Sequence, residues 1–285
     1  MIDELNAVVQ RLEKTFEAKR SKQAKQEAKT VPAPAKVIQL PVWGNGSRGA
    51  PNEILRSALF NARNKKQQRE YLEKATIAVI GEGEITYTGR ELRQDDETVW
   101  LQLIHLAREL PLGELVEFTA YSFIKSLGWN NSAKSYKRLR DSLERMQATA
   151  LTVYSKRIGE GVSLSMIPFF AWRQGRNGPP LPMYQVRIAP ELIELFSGVR
   201  YTLVEWQQRL ALPDGLATWL HGYYASHKEP YPIKPETIRE GAGLTIKRKD
   251  HLKEQTEIAL EALKRVGFLK SWKTEGDLIY VERAR

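Results

Sequence analysis

The sequence predicts an α+β protein in which two domains of similar architecture follow a flexible, partly helical N-terminal tail. One observation is that a short helix, a turn, a longer basic helix and a hairpin occur in that order twice. Another is that the composition changes at Pro51, after a segment dominated by Lys, Glu, Gln and Ala. The repeated order is typical of the winged helix-turn-helix. We therefore predict a tail over residues 1–50, a first winged-helix domain over 51–199 and a second over 200–285.

The charge of the chain predicts a polyanionic partner. Lys and Arg total 44 against 34 Asp and Glu, which gives a net charge of +10. This excess favours nucleic acid as the partner, with an acidic membrane surface as the weaker alternative. No apolar run approaches the ~20 residues of a membrane-spanning helix, and the N-terminus lacks the pattern of a signal peptide. The absence of cysteine excludes disulfides and thiolate chemistry. We expect a soluble, cytoplasmic protein.

The predicted tail contains two apolar features. An apolar stripe at helical spacing predicts a marginal helix, with a coiled-coil contact as the alternative. That helix ends before Pro32 and Pro34. A linker over 30–52 then carries VIQLPVW (37–43). Because no local core accounts for these apolar residues, they either dock on the protein's own body or bind another protein. The stripe consists of Ile2, Leu5, Val9, Leu12 and Phe16.

In the first domain, the elements are predicted in the following order. A hairpin over 75–90 precedes a helix over 95–110, which Asp95 or Asp96 caps. A strand over 114–119 leads to a short helix that Thr119 caps and Gly128 ends, and Ser132 caps the next, longer helix. Two strands follow. The longer helix has one apolar face and one basic face, which favours insertion into a DNA groove; the alternative is a solvated outer face. The DNA-binding candidates are Ser132, Lys134, Lys137, Arg138 and Arg145, with Lys156 and Arg157 on the hairpin.

The second domain repeats this order with different residues. Helices over 205–229 break at Pro213, and a short helix starts at Pro235. Thr245 is predicted to cap the long helix, and a hairpin turns at Glu275-Gly276. The long helix is basic in its first turns and acidic later, so its N-terminal half is expected in the groove. The candidates are Thr245, Lys247, Arg248, Lys249, His251 and Lys253, with Lys270 and Lys273 on the hairpin.

The sequence contains no catalytic constellation. It lacks a P-loop, and its four histidines are scattered without a His-x-His pair for a metal. Tyr223-Tyr224 could be a nucleophile pair, but without a metal set beside it we interpret it as helix packing. We therefore expect a binding protein that is not an enzyme and that uses no metal or cofactor.

Four segments resemble the TrfA family, the replication initiators of broad-host-range plasmids. They are RSALFNARNKK (56–66), ITYTGRELRQDDE (85–97), RMQATA (145–150) and SHKEPYPIKPETIRE (226–240). The resemblance implies two winged-helix domains that bind direct repeats (iterons) in double-stranded origin DNA. It also implies opening of an AT-rich region, with single-stranded DNA as a further ligand. The implied protein partners are the host replicative helicase, the host initiator, the sliding clamp and a second copy in a homodimer.

The same resemblance gives VIQLPVW a function. Family members carry a Gln-Leu-x-Leu-Phe-like peptide that docks on the sliding clamp, and Gln39, Leu40, Val42 and Trp43 lie where it is expected. Val and Trp replace the usual Leu and Phe, so intramolecular docking of Trp43 stays open. The alternative function for the whole chain is a winged-helix transcriptional regulator or autorepressor. Direct repeats beside an AT-rich stretch near the gene would favour the initiator.

Overall fold

A computed structural model describes residues 40–81, 84–111, 113–155, 160–173, 183–189, 191 and 201–284, which form a mixed α+β fold. The helices are α1 (Asn52–Leu55), α2 (Gln94–Ala107), α3 (Ala120–Ser126), α4 (Ala133–Gln147), α5 (Trp206–Ala211), α6 (Leu216–Ala225), α7 (Pro235–Gly241) and α8 (Lys249–Arg265). The strands are β1 (Ser47–Pro51), β2 (Phe60–Asn61), β3 (Tyr71–Ile77), β4 (Glu84–Arg90), β5 (Leu92–Arg93), β6 (Val116–Thr119), β7 (Ala150–Ser155), β8 (Glu160–Leu164), β9 (Phe169–Arg173), β10 (Met183–Arg187), β11 (Tyr201–Glu205), β12 (Leu269–Glu275) and β13 (Leu278–Arg283).

The strands pair into small, mostly antiparallel sheets. The largest has the order β3-β4-β7-β8, so the predicted hairpin of the first half joins the strands that follow α4. A three-stranded sheet has the order β6-β10-β9. In the second half β12 and β13 form the predicted hairpin, and an isolated bridge joins Ile233 to Ile279. β1 pairs with β11, and β2 with β5 in parallel.

Two predicted helix caps are confirmed. The Thr119 hydroxyl accepts the backbone N–H of Ser122 at 3.1 Å, and the Ser132 hydroxyl accepts that of Ser135 at 3.3 Å. Both bonds satisfy an N–H that the first turn of a helix leaves without a partner. Gly276 has a φ of 59° in the turn of the last hairpin, where a side chain would be strained.

The predicted caps of two other helices were wrong. The N-cap of α2 is Arg93, and the Asp96 carboxylate accepts the Arg93 backbone N–H at 3.0 Å from inside the first turn. α8 begins at Lys249 with Arg248 as its N-cap, so Thr245 does not cap this helix. Leu244 donates its N–H to the Arg239 carbonyl at 2.8 Å, which ties it to the end of α7. The next four residues are the irregular connection from there to the start of α8.

The core consists of two hydrophobic clusters. The first surrounds α2 and includes Trp100 and Leu103, and the second lies between α6 and α8 and includes Leu220 and Leu260. The buried Arg209 of α5 donates to Glu97 of α2 at 2.9 Å. A buried charge is tolerated only when it is paired and hydrogen-bonded, so this contact fixes α5 against α2.

Residues 40–50 belong to this fold, so the prediction of a flexible tail as far as residue 50 was wrong for them. Leu40 is 3% exposed and Trp43 5% exposed, and both belong to the first cluster. The Trp43 indole N–H donates to Nδ1 of His105 at 3.1 Å, and Nε of Arg108 donates to the Trp43 carbonyl at 3.2 Å. Of the two interpretations of VIQLPVW, the structure has Trp43 docked on the protein's own body. Gln39 and the predicted N-terminal helix lie outside the described residues.

Two buried histidines are expected to make the folded protein less stable in mild acid. Burial, then the charges of neighbouring arginines, lowers the pKa of His105 and that of His221 to about 3. In the unfolded chain each imidazole takes up a proton below pH ~6.5, whereas in the folded protein it stays neutral down to about pH 3. The contribution of each histidine to the free energy of unfolding is therefore fully present above pH ~6.5 and is lost as the pH falls towards 3. We expect the free energy of unfolding at pH 5 to be lower by about 2 kcal/mol per histidine.

Urea denaturation of the wild type and of His105→Asn at pH 7.5 and 5 tests this. The Asn carbonyl can replace the acceptor near Nδ1, but it does not titrate. The wild type should therefore lose about 2 kcal/mol more than the variant between the two pH values. An equal loss in both proteins would contradict the assignment to His105.

Candidate nucleic-acid interface

The start of α8 presents a cluster of cations to solvent. Lys247, Arg248 and Lys249 are all exposed, and the Arg248 side chain retains 78% of its accessible surface. Arg248 pairs with Asp250, and Lys249 lies 3.7 Å from Glu236. Exposed ion pairs of this kind contribute little to stability, so the cations can exchange these partners for phosphates.

The charge changes sign along the same helix. His251 lies 3.4 Å from Glu254, Lys253 lies 4.0 Å from Glu257, and Glu261 accepts the indole N–H of Trp272. The opposite face is buried and packs in the second cluster. The helix is therefore held by its apolar side, and its exposed cations cluster at the start, before the carboxylates, with Lys264 and Arg265 following in the last turn.

In the first half, α4 gives a smaller basic surface than its sequence predicts. Ser132, Lys134 and Lys137 are exposed, with the Ser132 hydroxyl occupied as a cap and Lys137 2.6 Å from Asp141. Arg138 instead turns towards the protein. It donates to Asp214 at 2.9 Å and stacks over Trp129 at 4.1 Å from the ring centre.

Arg145 also turns inward, to the buried carboxylate of Asp96. Nη2 of Arg145 donates to Oδ1 of Asp96 at 2.6 Å, and Nη1 of Arg69 donates to Oδ2 at 2.6 Å. Ser142 donates to Oδ1 at 2.7 Å. Arg138 and Arg145 are thus both engaged within the protein, and their assignment to DNA stays a prediction that this arrangement does not favour. The face of α4 that the helical period assigns to solvent is partly covered by α2 and by the turn at Asp214.

Of the two hairpins predicted to contact DNA, the basic residues of only the last are described. Lys156 and Arg157 lie outside the described residues. Lys270 lies at the end of the β12–β13 hairpin away from its turn, 2.7 Å from Glu282. Lys273 is 2.5 Å from Glu275, and the turn also holds Asp277. Carboxylates repel phosphates, so the tip of this hairpin is unfavourable for the backbone of DNA.

Sequence reasoning missed one basic segment, the loop over residues 63–69. Its sequence, RNKKQQR, contains four cations, and Lys65 and Lys66 are exposed. The loop and the start of α8 line a common cleft of about 350 Å³, together with Asp214 and Gly215. The adjacent Lys65 and Lys66 could have indicated this basic segment, but the sequence did not show that it lies beside the start of α8.

The part of the chain that the structure describes contains no metal site of the usual kind. Among these residues, no group of three or more His, Asp or Glu side chains is placed to hold a metal ion. No helix in these ranges is long and apolar enough to cross a membrane.

Comparison with known proteins identifies the family. The profile of the family described as TrfA protein matches residues 4–283. The chain is 37% identical over 243 residues to the plasmid replication initiator protein TrfA of Escherichia coli, which covers 85% of this chain and 63% of that relative. The chain thus spans less than two thirds of the relative's length.

Solved structures show likeness in fold. Crystal structures of domains 2 and 3 of RctB superpose with TM-scores of 0.50 and 0.51 at 13% identity. They cover 79% and 80% of this chain, and 95% and 94% of theirs. The sequence match extends over almost all residues, and the TrfA-like segments predicted from the sequence fall within it. The chain belongs to the TrfA family.

Proposed function

We propose that this protein is a plasmid replication initiator that binds double-stranded origin DNA through two winged-helix domains. The observation that carries the proposal is the exposed cation cluster at the start of α8, on a helix whose later outer face is acidic. Similarity to a plasmid replication initiator supports the biological role. The order of elements supports the two domains, since α6, α7, α8 and a hairpin repeat the order of α2, α3, α4 and strands β7 and β8.

In this proposal the two domains have unequal tasks. The first turn of α8 enters a major groove and reads base edges, while Lys134 and Lys137 of α4 contact phosphates of the same site. Two weak sites on one chain raise the overall affinity sharply when both can engage together. In the proposed division the first domain covers residues 51–199, and residues 40–50 pack against both parts, since Trp43 lies in the first cluster and β1 pairs with β11. The second covers 200–285.

The later steps follow from the family. Binding to direct repeats would place several copies beside an AT-rich region, which the assembly opens. The host initiator, the replicative helicase and the sliding clamp then join it, and a second copy in a homodimer is a further partner to test. We expect the protein to act in the cytoplasm, where plasmid DNA is located.

Arg248→Ala should weaken binding by about 1–3 kcal/mol if the guanidinium makes a bidentate contact with a base. The probe is a duplex that the wild-type chain selects from random-sequence DNA, and the measurement is its Kd by fluorescence anisotropy. Arg265→Ala is the matched control, because Arg265 is an exposed arginine at the other end of the same helix. Equal effects of the two substitutions would contradict the placement of α8.

A replication assay separates an initiator from a transcriptional regulator. A plasmid carrying the selected repeats beside an AT-rich region should replicate only when the chain is supplied in trans, and Arg248→Ala should abolish replication. Repression of a promoter that contains the repeats, without any replication, would instead favour the regulator.

A further inference from the structure

We propose that the loop over residues 63–69 is a third DNA-contacting element, which binds the phosphates between the sites of α4 and α8. This inference rests on the proposed function, because it concerns the DNA that the two domains would bind. The loop belongs to neither helix and to neither hairpin, so a winged-helix description does not include it.

The loop lies between the two helices that carry the exposed cations. On one side Nζ of Lys65 is 4.0 Å from Oδ2 of Asp214, the same oxygen to which Arg138 of α4 donates. On the other side, Arg63, Asn64, Lys65 and Gln67 line the same cleft as Thr245 and His251 at the start of α8. A duplex that touches both helices must therefore pass over this loop.

The loop is held from beneath by a buried arginine. Nη1 of Arg93 donates to the carbonyls of Asn64 and Gln67 at 2.8 and 2.9 Å, and Nη2 donates to that of Gln68 at 3.1 Å. The Glu91 carboxylate accepts from the same guanidinium at 2.7 Å. Because these bonds turn the carbonyls inward and fix the backbone, little conformational entropy is lost when a ligand binds.

The cations of the loop divide into two groups. Arg63 and Arg69 are bound internally, Arg63 to Glu70 and Glu91, and Arg69 to Asp95 and Asp96. Lys65 and Lys66 extend into solvent between them, and the Lys65 side chain retains 70% of its accessible surface. Two adjacent lysines on a rigid loop suit a duplex backbone, where phosphates of one strand follow one another at short intervals.

In the proposed complex α8 enters a major groove and α4 contacts phosphates of the same site. The phosphates between these two contacts are the expected partners of Lys65 and Lys66. These contacts carry no sequence information directly, so the loop should add affinity and set the register of the two domains.

The test is the salt dependence of binding to the selected duplex. Lys65→Ala/Lys66→Ala should weaken binding about 10-fold or more near 0.15 M salt and reduce the slope of log K against log salt by about 1–2, since each lost phosphate contact contributes about 0.9. Preference among variant duplexes should not change. The matched control is Lys228→Ala/Lys264→Ala, which removes the same charge from two exposed lysines away from the start of α8.

Phosphate-ethylation interference locates the contact. Wild-type binding should be blocked by ethylation at phosphates between the contacts of α4 and of α8, and this interference should disappear in Lys65→Ala/Lys66→Ala but remain in the control. Normal affinity, slope and interference in the loop variant would overturn the inference while leaving the proposed function intact. If the wild type selected no duplex at all, the proposed function itself would fail.

Discussion

Replacing Asp96 by Asn should lower the free energy of unfolding by about 3–5 kcal/mol, the usual result of removing one partner from a buried ion pair. Asp96 is fully buried, and its two oxygens accept four hydrogen bonds, from Arg69, Arg93, Ser142 and Arg145. Asn keeps the shape but presents an amide donor to groups that are themselves donors. The two guanidinium groups would then lack their shared counter-charge, and the cost of their desolvation would no longer be offset.

Urea denaturation followed by tryptophan fluorescence measures this effect. Asp141→Asn is the control, because Asp141 is partly exposed and forms an i,i+4 pair with Lys137 on the surface of α4. Its loss should cost about 0.3–0.5 kcal/mol. If Asp96→Asn cost no more than the control, water must reach the cluster, and Arg145 could then be available to DNA after all.

This cluster illustrates which part of the site was readable from the sequence. The order of helices and strands follows from apolar period, from capping residues such as Thr119 and Ser132, and from turn residues such as Gly276, all of which act within a few residues. The partners of Asp96 are distant, since Arg69 is 27 positions away and Arg145 is 49. The helical period correctly placed Arg145 away from the apolar face of α4. It could not reveal that an acidic turn of α2 approaches from that side.

The strand β1 escaped prediction for a related reason. Its sequence, SRGAP, contains no β-branched or aromatic residue, so local propensity gives no signal. These residues form a strand because they pair with β11, about 150 residues later in the chain, which contains Tyr201, Leu203 and Val204. Pairing between distant segments is a property of the folded chain, and it is also what brings Trp43 into the core.

Trp43→Ala should lower the free energy of unfolding by about 3–5 kcal/mol, the cost of removing a buried tryptophan from a packed core. Its ring lies so close to Gly49 that a Cβ there would come within 2.7 Å of ring carbons, and it faces Tyr201 at 6.2 Å between ring centres. The substitution also removes the indole donor from Nδ1 of His105. Val42→Ala is the neighbouring control, because Val42 is 76% exposed and should affect stability little.

The same docking sets a condition on binding of VIQLPVW to a sliding clamp. A clamp pocket would need the side chains of Leu40 and Trp43, which the fold buries, so the intact chain would first have to release them. Only the small fraction of molecules with the segment released could bind, and the apparent affinity falls by that fraction. A free peptide over residues 36–45 should therefore bind the clamp more tightly than the intact chain in a titration. Equal affinities, together with an unchanged unfolding midpoint in Trp43→Ala, would mean that the segment is undocked in solution and free to serve as a clamp ligand.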